Sequence, residues 1–315
     1  MKILRLFVLW CAQSYCVQTR IEVLSSEKIE PYIDHHSAVL KTNLRDVKTR
    51  AITPFAWMNK EESLINSASS RFVGGPNIKD SSDYIESEFR SLGLDVFIDS
   101  FPNPIAGAAN ARNIIGRLIG STSESILVGA HYDDLPKEGV APGADDNASG
   151  VSSMLLIAEK LSGTRLKRNV LFAAFSGEEQ DLKGSAHFAA SMAPSLNIVG
   201  AIIMDQDGNP GKSHGVVFES VGRSAQKQRI IDTLADSVDP EITSFAVNYS
   251  GFGSDHVSLS EAGIPAVLVI ERDNMELAKR YGHTSKDSIG NIDMNFGGAI
   301  ARTVMQAVVS LAMAP

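Results

Sequence analysis

Apolar residues recur along this chain in two alternating patterns. Short runs rich in Val, Ile, Leu and Phe read as buried strands at 113–119, 126–130, 169–175, 198–204, 216–218 and 264–270. Residues 95–101 alternate as a further strand. The first two runs, 113–119 and 126–130, flank a Gly120-Ser121-Thr122-Ser123-Glu124 turn and read as paired neighbours. Between the runs, apolar residues fall at helical spacing. Residues 81–92 present Tyr84, Ile85, Phe89 and Leu92 on one side, and Gly93 marks the stop. Helices are also predicted over 151–161, 184–192, 225–236 and 294–312, with another opening at Ser254-Asp255-His256. The last long helix carries Ile300, Val304, Ala307 and Val308 on one face, which reads as core packing.

Strands that alternate with helices predict a largely parallel sheet covered on both faces. Ligands of such sheets gather at the carboxyl ends of the strands. No internal repeat or low-complexity tract divides the chain, so residues 21–315 read as one domain.

Composition narrows the partners. A net charge of −8 argues against nucleic acid, whose binders concentrate positive charge. The two cysteines, Cys11 and Cys16, both lie near the N-terminus. A Cys-rich structural zinc site and a cysteine nucleophile are therefore excluded, and any metal must be held by His, Asp and Glu. Lys2 and Arg5 precede an apolar run over 6–12 and a small-x-small stretch, Ala12-Gln13-Ser14. That is the form of a secretory signal over residues 1–20, and it predicts a secreted or periplasmic protein with no membrane segment in its mature form. The run is too short to span a bilayer.

The central loop is Pro142-Gly143-Ala144-Asp145-Asp146-Asn147-Ala148-Ser149-Gly150, directly before an apolar helix. Asp145 reads as a metal ligand. As a bare helix cap it would leave unexplained the other acids and histidines at strand ends. The candidate set is His131, Asp145, Glu179, Asp205 and His283. Two imidazoles and three carboxylates suit zinc, and they exceed the needs of one catalytic ion. They suit two ions about 3.5–4 Å apart if one carboxylate bridges. Glu178 should diverge from Glu179 and face the water as general base, later protonating the leaving amine. Asp133 is placed to accept from the other ring nitrogen of His131 and fix its tautomer. Adjacent His35 and His36 diverge on either a helix or a strand, and read as surface residues.

Taken jointly, several motifs resemble peptidase family M28, the two-zinc aminopeptidases of the bacterial leucyl aminopeptidase type. They are Gly129-Ala130-His131-Tyr132-Asp133, the 142–150 loop, Phe175-Ser176-Gly177-Glu178-Glu179, Leu182-Lys183-Gly184-Ser185, Met204-Asp205, Ser254-Asp255-His256 with Glu261-Ala262-Gly263-Ile264-Pro265, and Gly282-His283-Thr284-Ser285-Lys286-Asp287. The resemblance covers about residues 70–315. It implies a three-layer α/β/α sandwich around a mixed, mainly parallel sheet. It implies two zinc ions bridged by Asp145, with His131 and Asp205 on one and Glu179 and His283 on the other. It implies Glu178 as general base, Asp133 as the orienter of His131, and a cis peptide between Asp145 and Asp146. Where the family often has Asp-Met, this chain has Asp205-Gln206, which makes Asp207 a rival ligand. Tyr249 is the nearest candidate for an oxyanion tyrosine and stands out of step.

The function so implied is removal of N-terminal residues from peptides with a free amine. Two alternatives share the fold: a carboxypeptidase and a single-zinc glutaminyl cyclase. A catalytically inert binding domain is a third, and the complete ligand set argues against it.

Overall fold

This computed structural model describes residues 7–12, 15–22, 52–67, 70–75, 77–103, 108–251 and 253–314. His35 and His36 lie outside these, as does part of the run read as an export signal. The strands are β1 (Phe7–Ala12), β2 (Tyr15–Glu22), β3 (Asp95–Asn103), β4 (Ala108–Leu118), β5 (Ser125–His131), β6 (Asn169–Phe175), β7 (Ile198–Asp205), β8 (Gly215–Glu219), β9 (Ser244–Asn248) and β10 (Ala266–Glu271). They form one mixed sheet in the order β1-β2-β9-β8-β10-β7-β5-β6-β4-β3. The centre of the sheet, β10-β7-β5-β6, is parallel, and β4 and β3 are added antiparallel beside β6.

Central strands are apolar throughout because both faces are covered. On β5, Ile126, Val128 and Ala130 face one core and Leu127 the other. On β7, Ile202 and Met204 oppose Ala201 and Ile203 in the same way. One layer holds α1 (Pro54–Ser67), α2 (Ile78–Ser91), α3 (Ser149–Leu161), α5 (Ala225–Asp236) and α8 (Met294–Met313). The opposite layer holds α4 (Lys183–Ser191) and α6 (His256–Glu261). A short helix, α7 (Asn274–Arg280), lies between β10 and the His283 loop. The three-layer α/β/α fold is therefore present. The helix α8 is long and apolar enough to cross a membrane, but 78% of its most apolar 18-residue window is buried, packed among the other helices. Gly297 on α8 admits the indole of Trp57, since a Cβ there would stand 2.4 Å from the ring. The Trp57 Nε1–H donates to Ser153 Oγ on α3 at 2.9 Å and locks the three helices together.

In the fold, one sequence expectation needs correction and several elements were not foreseen. Strands β4 and β5 are not partners, because β6 lies between them and pairs with both. The local turn suggested a hairpin, but burial on both faces sent β5 to the parallel centre. Elements with weak periodicity were missed: α1, α7 and β9. In β9 only Phe245, Ala246 and Val247 are buried, and in α7 only Leu277 is.

Candidate metal centre

Parallel register brings the strand ends to one edge. His131 stands opposite Phe175, so the loop after β6 that carries Glu178 and Glu179 starts beside it. Asp205 closes β7 on the other side of β5. The donor atoms of His131, Glu178 and Asp205 lie within 4.8 Å of one another, as do those of Asp146, Glu179 and His283. Asp146 joins the two groups. Its Oδ1 is 3.3 Å from His131 Nε2 and its Oδ2 is 3.6 Å from His283 Nε2. His131 Nε2 is also 3.3 Å from Asp205 Oδ1, and His283 Nε2 is 2.9 Å from Glu179 Oε2. Glu178 Oε2 stands 3.9 Å from His131 Nε2.

The carboxylate that joins the two groups is thus Asp146, the neighbour of the Asp145 read from sequence as the bridging ligand. The two acids diverge, and the backbone leaves helical geometry at Asp146 itself, with φ −114 and ψ 87. Asp145 points inward, its Oδ1 accepting from the Gly208 N–H at 2.9 Å. Asp146 points out to both imidazoles. The cis peptide lies between Asp146 and Asn147, again one residue further on. Asp205 joins the cluster, whereas its rival Asp207 is wholly buried away from it. Tyr249 donates its hydroxyl to Gln228 Oε1 and stays outside the cavity. Asp133 lies beside His131 as expected, but the nearer contact of Nδ1 is the Asp133 carbonyl at 3.2 Å, with the carboxylate at 3.7 Å. The Asp133 Oδ1 also accepts from the Glu178 N–H at 3.2 Å and so ties the two loops.

Buried residues that sequence reasoning missed build the frame. Arg71 is fully buried. It donates to the carbonyls of Tyr132, Pro142 and Gly143, linking the His131 loop to the central loop. Asp287 accepts from the backbone N–H of Asp145 at 2.7 Å and of Asp146 at 3.1 Å. Asn147 donates to the Met204 carbonyl at 2.9 Å and accepts from the Gly150 N–H. The second acid of the central loop and the terminal Asp of the Gly282 to Asp287 motif were the available signals for Asp146 and Asp287.

The electrostatics are those of crowded carboxylates around two imidazoles. Burial disfavours the His131 cation, yet Glu178 and Asp205 outweigh it and hold its pKa well above the usual range. Hydrogen bonds to Asp146 and Glu179 push His283 up to about 10. Burial opposes ionisation of Asp146, but hydrogen bonds from His131 and His283 prevail and lower its pKa. Burial raises Glu178 well above the carboxylate range, and burial with the neighbouring Asp146 pushes Glu179 up to about 8. Glu179 Oε1 is buried with no hydrogen-bond partner. Four carboxylates and the His283 imidazole line one cavity, with the buried His131 ring against two of those carboxylates and one oxygen unmatched, a set that fits hard-to-borderline cations such as zinc. A cavity of about 600 Å³ opens over them, with Lys137, Asp181, Leu182, Gln206 and Ala278 on its walls.

Fold and donor set together define a class: a doubly covered α/β sheet with two His–carboxylate groups gathered at the carboxyl edge of its strands. Within that class the chain belongs to Peptidase family M28, whose family model matches residues 113–308. It is similar to Leucine aminopeptidase 1 of Ajellomyces capsulatus, 29% identical over 224 residues that cover 64% of this chain and 56% of that protein. It is 27% identical to Aminopeptidase YwaD of Bacillus subtilis over 266 residues, 79% of this chain and 56% of the relative. The chain thus spans little more than half the length of these curated relatives. In fold it matches a zinc aminopeptidase from Bacillus subtilis, with a TM-score of 0.71 at 19% identity over 81% of this chain and 95% of that one. It also matches the glutaminyl cyclase of Porphyromonas gingivalis, with a TM-score of 0.69 at 21% identity over 81% and 97% of the two chains.

Proposed function

We propose that this protein is an aminopeptidase that binds two zinc ions and removes N-terminal residues from peptides. The observation that carries this reading is Asp146, whose two oxygens face two separate His–carboxylate groups. His131 and Asp205 would hold one ion, Glu179 and His283 the other, and Asp146 both. Ions bound there would supply Lewis acidity to a water and to the scissile carbonyl.

The chain's own residues do the rest. Glu178 is held at the cavity wall by the bond from its N–H to Asp133. Its raised pKa suits it to take a proton from the attacking water on Oε2 and deliver it to the departing amine nitrogen. Asp133 holds the His131 ring through Nδ1. The carboxylates of Glu178, Asp181 and Asp205 give the cavity an acidic face that favours a free, cationic α-amine. The apolar run at residues 6–12 supports export of the protein; it contains β1, the outermost strand of the sheet, so its removal as a signal would take away an edge and not the centre.

The test is zinc stoichiometry together with hydrolysis of aminoacyl anilides carrying free or blocked amines, and release of ammonia from an N-terminal glutaminyl peptide. About two ions and cleavage of free-amine substrates alone are expected. One ion with ammonia release would replace this reading by a cyclase, and no uptake of zinc would overturn it.

A further inference from the structure

Gln206 stands where the M28 resemblance leads one to expect methionine, at the end of β7 and on the cavity wall. Its backbone is left-handed, with φ 54, which takes the side chain out of the path of the strand. The Gln206 carbonyl accepts from the Glu271 N–H at 3.1 Å, so the turn is pinned to β10. From that anchored position the carboxamide Nε2 donates to Asp146 Oδ2 at 3.0 Å.

That bond distinguishes the two oxygens of the shared carboxylate. Oδ1 faces His131, while Oδ2 faces His283 and also accepts from Gln206. A carboxylate oxygen has two lone pairs, so one can serve the amide while the other serves an ion. The amide fixes the plane of the carboxylate, which would otherwise turn about its own bond. The half it serves is the one that most needs fixing. The His283 side chain is 27% exposed and rides on a left-handed loop residue, against 1% for His131 at a strand end.

We infer that Gln206 is a positioning residue that holds Asp146 in the orientation required by the Asp146–Glu179–His283 half of the centre. The inference rests on the two-ion reading above. Outer hydrogen-bond partners of metal ligands are worth about 10–100-fold in metal affinity. The loss of Gln206 should therefore appear as a selective weakening of one ion.

The experiment is a chelator-competition titration of zinc into the metal-free full chain, for wild type, Gln206→Met and Gln206→Asn, with melting curves of each metal-free protein. Two binding steps are expected for wild type. In Gln206→Met the weaker step should fall by about 10–100-fold while the tighter step and the melting temperature hold. Gln206→Asn keeps the polarity but is one methylene too short, and should behave like Gln206→Met. An unmoved or tightened weaker step, an equal fall of both steps, or an Asn variant that matches wild type would overturn the role of Gln206. A wild type that takes up a single ion would overturn the two-ion reading itself, and with it this one, before any variant is made.

Discussion

The two halves of the proposed centre use the same side-chain chemistry in opposite surroundings. The His131 half is built on the sheet: His131 ends β5, Asp205 ends β7, and both are nearly buried. The His283 half is built on loops. His283 follows α7 at a left-handed φ of 60, its side chain 27% exposed. Glu178 and Glu179 come from one loop and divide between them, one to each group. The sheet fixes the first half through backbone ladders, and the second depends on loop hydrogen bonds such as Asp287 to the Asp145 and Asp146 amides. Position on a rigid element should therefore translate into tighter metal binding.

The largest effect should come from breaking the joint between the halves. Asp146→Asn should lose both ions and all measurable turnover, because one oxygen serves each side. Asp145→Asn should keep both, since that carboxylate faces Gly208. Metal analysis of the two purified variants decides the point, and the reverse pattern would falsify the assignment. Next in size is Glu178→Gln, which should lower kcat by about 10²–10⁴-fold with both ions retained. Metal content that falls along with activity would make Glu178 a ligand instead of the base.

The halves can then be separated. His283→Ala should remove one ion and leave the other bound. His131→Ala should weaken both binding steps, because its ring touches Asp146, Asp205 and Asp133 at once. Equal metal loss in the two variants would erase the distinction between a sheet-borne and a loop-borne half.

The same division decides what was legible in the sequence. Strands β6 and β7 and helices α3 and α8 announce themselves by continuous or periodic apolar runs, so the sheet's carboxyl edge could be located and His131, Glu178, Glu179 and Asp205 placed on it. The loop-borne details were not carried by periodicity. Which of two adjacent acids turns outward depends on the non-helical backbone at Asp146 and on the Gly208 amide 63 residues away. Arg71 sits in a stretch with only turn signals, and nothing local tells that its guanidinium will reach three carbonyls of two distant loops. Gln206 was visible as a departure from the family motif, but its contact with Asp146 follows only from its backbone turn.

The smallest effect, and the finest test of the contrast, is in proton release. Without metal, hydrogen bonds to Asp146 and Glu179 hold His283 at a pKa of about 10, above its ordinary 6.5. The protonated ring therefore stabilises the metal-free fold fully below about pH 6.5, and that contribution is lost as pH rises through about 10. Glu179 acts in the same direction. Its pKa is raised from 4.5 to about 8, chiefly by burial, so ionising it costs the metal-free fold progressively over that range. A zinc ion needs a neutral imidazole and an ionised carboxylate, so it must displace protons as it binds. Uptake at the His283 half should thus release protons at neutral pH, and the zinc-induced rise in melting temperature should grow between pH 6 and pH 9. An indicator in weak buffer measures the first, and melting curves at fixed free zinc measure the second. His283→Ala should abolish most of the pH dependence that belongs to this half. A zinc effect that is flat or declining with pH would mean that the exposed half is already deprotonated, and that the two halves differ in exposure alone.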